Sequence, residues 1–355
     1  METDAYENLA QHLDKLPGGF PPSDSGVELR LLKRLFTPEE AELAVHLTLD
    51  REEAKTIAER AGLDLAQAEQ MLKEMARKGL IFSIEPEGGP ALYQAVPWMF
   101  GIYEFQVNNL DEGFVQDLSE YNRTRGKVSR PQRIPQLRTI PVRRSIEPHL
   151  ETLPYERAEE LVKAQEKFAV APCICRRERQ IMGTGCDAPQ ETCLMFGDWA
   201  DYYVRNGLGR YIDQAEVLEI LTEADKANLV LQPSNSRDIA LMCCCCGCCC
   251  AVLTRIKLHP RPSEVVSSPF MARHEPETCD GCGVCVDRCQ MEALTLGDDR
   301  VVLNSDRCIG CGLCVSTCPT GSLTLVRKPA SKQIKVPITI HATWRELSQV
   351  WEKRE

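Results

Sequence analysis

Two cysteine runs with identical spacing are the residues in this chain best suited to bind a metal cofactor. The first run is Cys279, Cys282, Cys285 and Cys289, and the second is Cys308, Cys311, Cys314 and Cys318. Three thiolates that are each separated by two residues can reach three irons of one 4Fe-4S cube. A shift of 29 residues places one run on the other. The sequence therefore predicts a duplicated module that holds two clusters and passes single electrons between them.

The last cysteine of each run is predicted to bind the cluster of the other run, as in bacterial ferredoxins, which this spacing resembles. Site A then contains Cys279, Cys282, Cys285 and Cys318, and site B contains Cys308, Cys311, Cys314 and Cys289. The residue after the last cysteine differs between the runs, because Pro319 follows the second run whereas Gln290 follows the first. Two zinc sites with four thiolates each are the alternative interpretation of the same spacing.

Eleven further cysteines lie upstream of the two runs, within residues 173–250. Neighbouring side chains diverge in extended backbone, so adjacent cysteines cannot easily bind one metal. The predicted metal ligands are Cys173, Cys175, Cys186, Cys193, Cys243, Cys245, Cys246 and Cys249. The first four would suffice for one further 4Fe-4S cluster and the run 243–250 for another, and a cluster shared by both segments is equally allowed. Structural zinc and a disulfide or persulfide relay are the alternatives.

Residues 140–330 resemble a group of 4Fe-4S binding proteins of anaerobic bacteria and archaea. The resemblance rests on Cys173-Ile174-Cys175-Arg176, on Glu191-Thr192-Cys193-Leu194, on the cysteine-dense run 243–250 and on the terminal repeat. It implies electron transfer without defining a substrate. Cys245-Cys246-Gly247 also matches a tripeptide of the noncubane clusters of heterodisulfide-reductase-type proteins, but the second segment that this family requires is missing from the sequence.

Composition favours an intracellular, metal-binding protein over a secreted one. The chain has 355 residues, 19 cysteines and a formal net charge of −10. Disulfide scaffolds are usually short and follow a signal peptide, whereas this chain begins with the acidic segment Met1–Asp4. No stretch approaches the roughly 20 apolar residues of a membrane span. We therefore expect a cytoplasmic protein, and the acidic charge argues against general affinity for nucleic acid or anionic membrane.

Residues 1–100 contain no cysteine and are predicted to form a separate domain. Thr37 and Asp64 are expected to begin helices, and two strands are expected over 80–84 and 91–96. This order of elements resembles a winged helix of small bacterial regulators. However, the segment contains 18 Asp and Glu residues against 10 Lys and Arg residues, whereas DNA-binding domains are usually basic. Contact with a protein partner, or homodimerisation, is therefore favoured over DNA binding.

Residues 101–150 are predicted to be a basic, proline-containing linker. Eight basic residues and no acidic residue occur over 123–144, namely Arg123, Arg125, Lys127, Arg130, Arg133, Arg138, Arg143 and Arg144. Pro131, Pro135 and Pro141 argue against a long helix and favour an extended chain. The segment is either a solvated strap, a docking strip for an acidic redox partner, or a strap that neutralises nearby anionic clusters.

The fold class expected from these features is α+β with several domains. A winged-helix-like domain at 1–100 precedes the linker, a mixed helical cysteine-rich domain spans 151–265, and a ferredoxin-like domain with two 4Fe-4S clusters spans 266–330. Helices are expected over 154–168, after Asp213, and over 342–353 in a C-terminal tail at 331–355.

No nucleotide-binding glycine loop, histidine pair or catalytic triad is recognisable, so no catalytic residue is assigned. The sequence predicts an iron–sulfur electron-transfer protein, or an electron-transfer subunit of an oxidoreductase, rather than a stand-alone enzyme. A redox- or oxygen-sensing transcription regulator with a winged helix is the alternative. A reductase of disulfide-type substrates at the cysteine-rich region is the third hypothesis.

Overall fold

The N-terminal part of the chain combines helices with one small antiparallel sheet. The computed structural model describes residues 4–128 and 134–352, and the chain as a whole is α+β. The elements of this part are α1 (Ala5–Lys15), α2 (Val27–Leu35), α3 (Pro38–Ala44), β1 (Glu52–Glu53), α4 (Ala54–Ala61), α5 (Leu65–Arg77), β2 (Phe82–Ile84), β3 (Leu92–Gln94), α6 (Tyr103–Phe105) and α7 (Glu112–Val128). The sheet has the order β1-β3-β2.

The predicted helix starts are present in this part. Thr37 and Glu40 form a capping box at α3, and Asp64 accepts hydrogen bonds from the first backbone N–H groups of α5. Gly62 ends α4 with a φ of +67°, a conformation that glycine adopts at little cost. Whether these elements act as a winged helix stays a prediction.

The segment 101–150 differs from the extended linker that its prolines suggest. Helix α7 continues to Val128, because the first proline of the segment follows only at position 131. Arg138 is 3% exposed and its guanidinium donates to the carbonyl of Ser236, so it lies inside the protein rather than on a basic surface strip. Arg143 and Arg144 are exposed, whereas Arg130 and Arg133 lie outside the described residues.

A five-stranded antiparallel sheet forms the middle of the molecule, where a mixed helical domain is expected from the sequence. Its elements are α8 (Ala158–Lys163), β4 (Phe168–Pro172), α9 (Ile174–Ile181), β5 (Glu191–Phe196), α10 (Asp198–Arg205), β6 (Arg210–Ile212), α11 (Gln214–Lys226), β7 (Val230–Pro233), β8 (Leu241–Cys245), α12 (Ala251–Lys257) and α13 (Pro262–Val265). The strand order is β6-β4-β5-β8-β7. The helix expected over 154–168 is present only as α8, and Phe168 already begins β4.

Both faces of this sheet are buried, in two different hydrophobic cores. Ala169, Met195 and Leu241 belong to the core shared with the N-terminal helices, whereas Val170 and Leu194 point to the opposite core. Side chains alternate between the two faces of a strand. As a result, cysteines in these strands are divided between two environments according to their position.

The C-terminal part contains two short β-ribbons and a final helix. Its elements are β9 (Phe270–His274), α14 (Val284–Asp287), β10 (Leu294–Leu296), β11 (Val301–Leu303), β12 (Leu323–Arg327) and α15 (Ile340–Glu352). Strand β9 pairs with β12 and β10 pairs with β11, both antiparallel. Over the ranges 4–128 and 134–352, no helix has the length and apolar character needed to cross a membrane.

Candidate functional site

The two cysteine runs form two separate groups of four thiols. The fourth cysteine of each run lies with the other run. In site A, burial and the neighbouring sulfurs of Cys318, Cys282 and Cys279 raise the pKa of Cys285 to about 11. In site B, burial and the sulfurs of Cys311, Cys308 and Cys289 raise the pKa of Cys314. The neighbours of Cys285 and of Cys314 thus include, in each case, the last cysteine of the other run.

Site B is the more enclosed of the two sites. Its four cysteines line one cavity, together with Ile309, Leu313 and the glycines of the second run. The backbone N–H of Ala272 donates to Cys308 Sγ over 3.2 Å, and that of Ala293 donates to Cys289 Sγ over 3.1 Å. Donors of this kind favour thiolate over thiol, so the site is chemically suited to an anionic 4Fe-4S cluster.

Glycine is needed where the loop of the second run approaches its neighbours. A Cβ atom at Gly310 would lie 2.2 Å from the carbonyl oxygen of Phe270, and one at Gly312 would lie 2.0 Å from Ser145 Oγ. Both residues also have positive φ angles, of +71° and +75°. The loop can therefore wrap closely around site B only because these positions lack side chains.

In site A, polar groups surround the cysteine contributed by the second run. Although burial opposes the effect, hydrogen bonds from Ser322 and from the backbone of Leu323 and Thr320 lower the pKa of Cys318 to about 7. Cys282 is exposed, so site A reaches the protein surface while site B lies deeper. Site A is therefore the more solvent-accessible of the two sites.

Six upstream cysteines converge on one face at an end of the middle sheet. This six-thiol group consists of Cys173, Cys175, Cys193, Cys243, Cys245 and Cys250. Cys193 and Cys243 are cross-strand partners on β5 and β8, and Cys245 follows on the same face of β8. Cys173 comes directly after β4, the other neighbour of β5. The register of strand pairing in the sheet therefore brings these cysteines close together.

Close sulfur–sulfur contacts connect the six thiols. Side-chain hydrogen bonds link Cys175 to Cys173 and to Cys250, and further ones link Cys243 to Cys193 and to Cys245. The hydrogen bond to Cys193 and burial together raise the pKa of Cys243. All six are free thiols. The group offers more ligands than one iron–sulfur cluster requires.

A second upstream group lies in the turn that follows β8. This four-thiol group consists of Cys186, Cys246, Cys248 and Cys249, whose sulfur atoms all lie within 4.8 Å of one another. Cys186 Sγ is 3.7 Å from Cys246 Sγ and 3.6 Å from Cys249 Sγ. Cys248 is the exposed member. Cys244 belongs to neither group, because it lies between Cys243 and Cys245 on β8 and side chains alternate between the two faces of a strand.

Arg176 lies between the two upstream groups and is completely buried. Its guanidinium donates to the carbonyls of Pro189 and Cys244, both over 2.7 Å, and to the hydroxyl of Thr192. Burial works against its charge, but the sulfurs of Cys173, Cys246 and Cys245 raise the pKa of Arg176. A cation in this position can compensate negative charge in either group.

The cysteine-rich turn packs directly against the loop of site B. The backbone N–H of Gly247 donates to the side-chain oxygen of Gln290, the residue that follows Cys289. A Cβ atom at Gly247 would lie 2.6 Å from the carbonyl oxygen of Gln290. Gln290, which takes the place that Pro319 has after the second run, therefore lies at the contact between site B and the four-thiol group.

The structure does not group the predicted upstream ligands in the order in which they follow one another in the sequence. Cys186 does not join Cys173, Cys175 and Cys193, although these four could have formed a site by themselves. Instead, each group combines residues of both segments, the third possibility that the sequence leaves open. Cys248 and Cys250 are group members that the sequence-based ligand list omits. Strand alternation at Cys243–Cys245 is the signal that separates Cys244 from its neighbours.

Comparison with known families identifies one part of the chain. Residues 278–322 match the family model of the 4Fe-4S dicluster domain. The matched segment contains every cysteine of sites A and B. No curated protein matches the chain. The dicluster match indicates iron–sulfur electron transfer for the C-terminal part.

Proposed function

We propose that the protein relays low-potential electrons through two 4Fe-4S clusters at sites A and B, and that the six-thiol group holds a further iron–sulfur cluster. When bound, such clusters supply one-electron transfer without a change in covalent substrate bonds. The observation that carries the proposal is the crossed arrangement of the two runs. Each site combines three cysteines of one run with the last cysteine of the other.

The protein's own residues provide different surroundings for the two sites. Site B is enclosed by apolar side chains and receives backbone N–H donors. Site A includes the exposed Cys282. Burial and hydrogen bonding to sulfur are the principal means by which a protein sets cluster potentials. The proposed route therefore runs between the surface at site A and the interior at site B.

The six-thiol group extends this route into the middle of the molecule. Cys245 and Cys250 belong to the same hydrophobic core as Ile309 and Leu313, which line site B. Arg176 provides a buried positive charge beside the group. These contacts support a third redox centre that exchanges electrons with site B.

Iron and sulfide analysis of the anaerobically purified full chain, combined with EPR, tests the proposal. We expect about 12 irons per chain, four for each 4Fe-4S cluster. Cys193→Ser should lower the iron content by about four without changing the signals of sites A and B. Cys244→Ser is the matched control, because Cys244 lies between Cys243 and Cys245 on β8, where side chains alternate between the two faces of the sheet. About eight irons in the unmodified chain would exclude the third cluster.

Single substitutions also test the crossed ligand sets. Cys289→Ser should disturb the same EPR signal as Cys308→Ser, although the two cysteines belong to different runs. Cys318→Ser should instead reproduce the effect of Cys279→Ser. If Cys289→Ser reproduced the effect of Cys279→Ser, each run would hold its own cluster and the proposed arrangement would be wrong.

We propose protein contact as the role of the N-terminal part, with DNA binding as the second candidate. In either role, the redox state of the clusters must reach the N-terminal part. A specific contact between α10 and this part supports such transmission. The hydroxyl of Tyr202 on α10 donates to the carbonyls of Ala76 and Ile81, over 2.9 and 2.8 Å. Ala76 belongs to α5, which would be the recognition helix of a winged helix.

Charge distinguishes the two candidates. Arg77 at the end of α5 is paired with Glu74, which reduces its availability to a phosphate. Anaerobic binding assays at low salt with genomic DNA fragments, using reduced and oxidised protein, would separate them. We expect that the protein binds no DNA fragment in either redox state. Specific retention that changes tenfold between the two states would instead establish the redox-sensing regulator.

A further inference from the structure

We propose that Cys186, Cys246, Cys248 and Cys249 bind a single tetrahedral zinc ion, separate from the iron–sulfur centres. The four sulfurs come from two segments, a loop after α9 and the turn after β8. A structural zinc site with four thiolates requires such a closed set. By binding cysteines of both segments, the zinc ion would hold the loop after α9 against the turn after β8, next to site B.

Sulfur–sulfur distances favour one ion over a cubane. Four thiolates at a Zn–S distance of about 2.3 Å form a tetrahedron with edges of about 3.8 Å. The Sγ atoms of Cys248 and Cys249 are 3.7 Å apart, and those of Cys186 and Cys249 are 3.6 Å apart. In a cubane each thiolate binds a different iron, so the four sulfurs must stand much farther apart. The four-thiol group already has the size of a mononuclear site.

The surroundings of the group provide a second, independent indication. Arg176 is buried, and the sulfur of Cys246 is one of the neighbours that raise the pKa of its guanidinium. Its hydrogen-bonded oxygens belong to neutral groups, two carbonyls and one hydroxyl. Burying a guanidinium beside neutral partners alone is costly. Zinc with four thiolates carries two negative charges, which places counter-charge on the side of Arg176 that faces the four-thiol group, in addition to that of the six-thiol group.

Local backbone geometry allows three ligands to come from one short turn. Cys246 and Cys250 are joined by a backbone hydrogen bond of 3.2 Å from Cys250 N to Cys246 O. This helical-type turn prevents the divergence that separates neighbouring side chains in a strand. On the side of the turn that faces site B, Gly247 packs closely against Gln290 because it has no side chain. The turn therefore places the side chains of Cys246, Cys248 and Cys249 close to Cys186.

The experiment is metal analysis with zinc X-ray absorption on the full chain, purified anaerobically from medium supplied with both iron and zinc. We expect one zinc per chain with four sulfur neighbours at about 2.3 Å. Cys248→Ser should reduce the zinc content below about one-fifth and leave the iron content unchanged. Because Cys248 is exposed, this substitution is compatible with folding. Cys282→Ser, at an exposed cysteine of site A, is the control that should retain zinc.

Several results would overturn the proposal. Four additional irons lost together with four sulfides in Cys248→Ser would show a cubane instead. A single thiolate-bound iron, or no metal that depends on Cys248, would likewise exclude the zinc site. X-ray absorption of the unmodified chain gives an independent decision, since a zinc environment with nitrogen or oxygen neighbours would contradict the assignment without any variant. The zinc count does not depend on the iron count of the six-thiol group.

Discussion

At the scale of single residues, Arg176 has the most consequential position outside the cysteines. It lies between the two upstream thiol groups and donates hydrogen bonds to two backbone carbonyls and to the side-chain hydroxyl of Thr192. We predict that Arg176→Met lowers the free energy of unfolding by roughly 2–4 kcal/mol, because buried acceptors that lose a donor cost about 1–3 kcal/mol each. Urea denaturation under anaerobic conditions measures the change.

A matched variant separates this effect from the loss of a positive charge. Arg179→Met lies on the same helix, α9, but its side chain is only partly buried. We expect a change below about 0.5 kcal/mol for this surface substitution. Equal destabilisation by the two variants would show that Arg176 has no special role between the thiol groups.

The buried His12 is expected to make the folding stability of the protein depend on pH under acidic conditions. Burial and the nearby Lys15 lower the pKa of His12 to about 4, although a backbone hydrogen bond to Leu47 opposes the shift. As the pH falls below about 6.5, the unfolded chain binds a proton that the folded chain takes up only near pH 4. Stability is therefore complete above pH 6.5 and is lost as the pH falls towards 4, by roughly 3 kcal/mol in total.

The pH dependence of unfolding in His12→Leu tests this prediction. We expect a smaller loss of stability between pH 6.5 and pH 4 than in the unmodified chain. The corresponding substitution at His149, whose side chain is 80% exposed, should leave the pH dependence nearly unchanged. An unaltered slope in His12→Leu would show that His12 is not the residue responsible.

At the scale of elements, the contact between the turn after β8 and the loop of site B has no room for a side chain. Gly247→Ala would place a Cβ atom 2.6 Å from the carbonyl oxygen of Gln290. We predict a loss of about 1–3 kcal/mol from overpacking and a shift in the reduction potential of site B. Thermal unfolding and a redox titration followed by EPR measure the two effects.

Gly89→Ala is a suitable control for this variant. Its Cβ atom would lie 3.3 Å from Pro86 Cγ in an exposed turn between β2 and β3, so we expect less than about 0.5 kcal/mol of change. An unshifted potential of site B in Gly247→Ala would mean that the turn does not influence this site.

The sequence predicts some elements well because their signals are local. Thr37, Asp64 and Asp213 each accept hydrogen bonds from the backbone of a helix start, as their spacing indicates. The crossed ligand sets are likewise predicted from a repeated spacing, and as ligand sets they stay a prediction. In these cases the residues that interact lie within one or two turns of each other, or within a known repeat.

The middle sheet and the two upstream thiol groups depend on non-local pairing instead. Cys193 meets Cys243 because β5 pairs with β8 in one particular register. A shift of that register by one residue would send Cys193 to the opposite face. Spacing along the chain contains no information about this choice, so the sequence gives the number of thiols but not their partition into groups of six and four.

At the scale of the whole molecule, the last helix, α15, packs against parts of the protein that are distant from it in sequence. Trp344 on α15 is fully buried, and its ring lies 6.2 Å from that of Trp199 on α10. Its indole N–H donates to the side chain of Gln136 over 3.2 Å. Arg345 also forms an ion pair with Asp50 of the N-terminal part. The helix thus contacts both the N-terminal part and the middle sheet region.

Trp344→Ala should therefore weaken the junction between these parts rather than the C-terminal dicluster domain. We predict a loss of about 3–5 kcal/mol, typical of removing a buried tryptophan, and faster amide exchange in α10. The iron content of sites A and B should not change, because among the described residues the lining of site B and the neighbours of Cys285 in site A include none from α15. Ile338→Ala, at a residue 69% exposed just before the helix, should leave exchange unaltered. Hydrogen exchange followed by mass spectrometry decides the matter, and unchanged exchange in α10 of Trp344→Ala would show that α15 does not hold the two parts together.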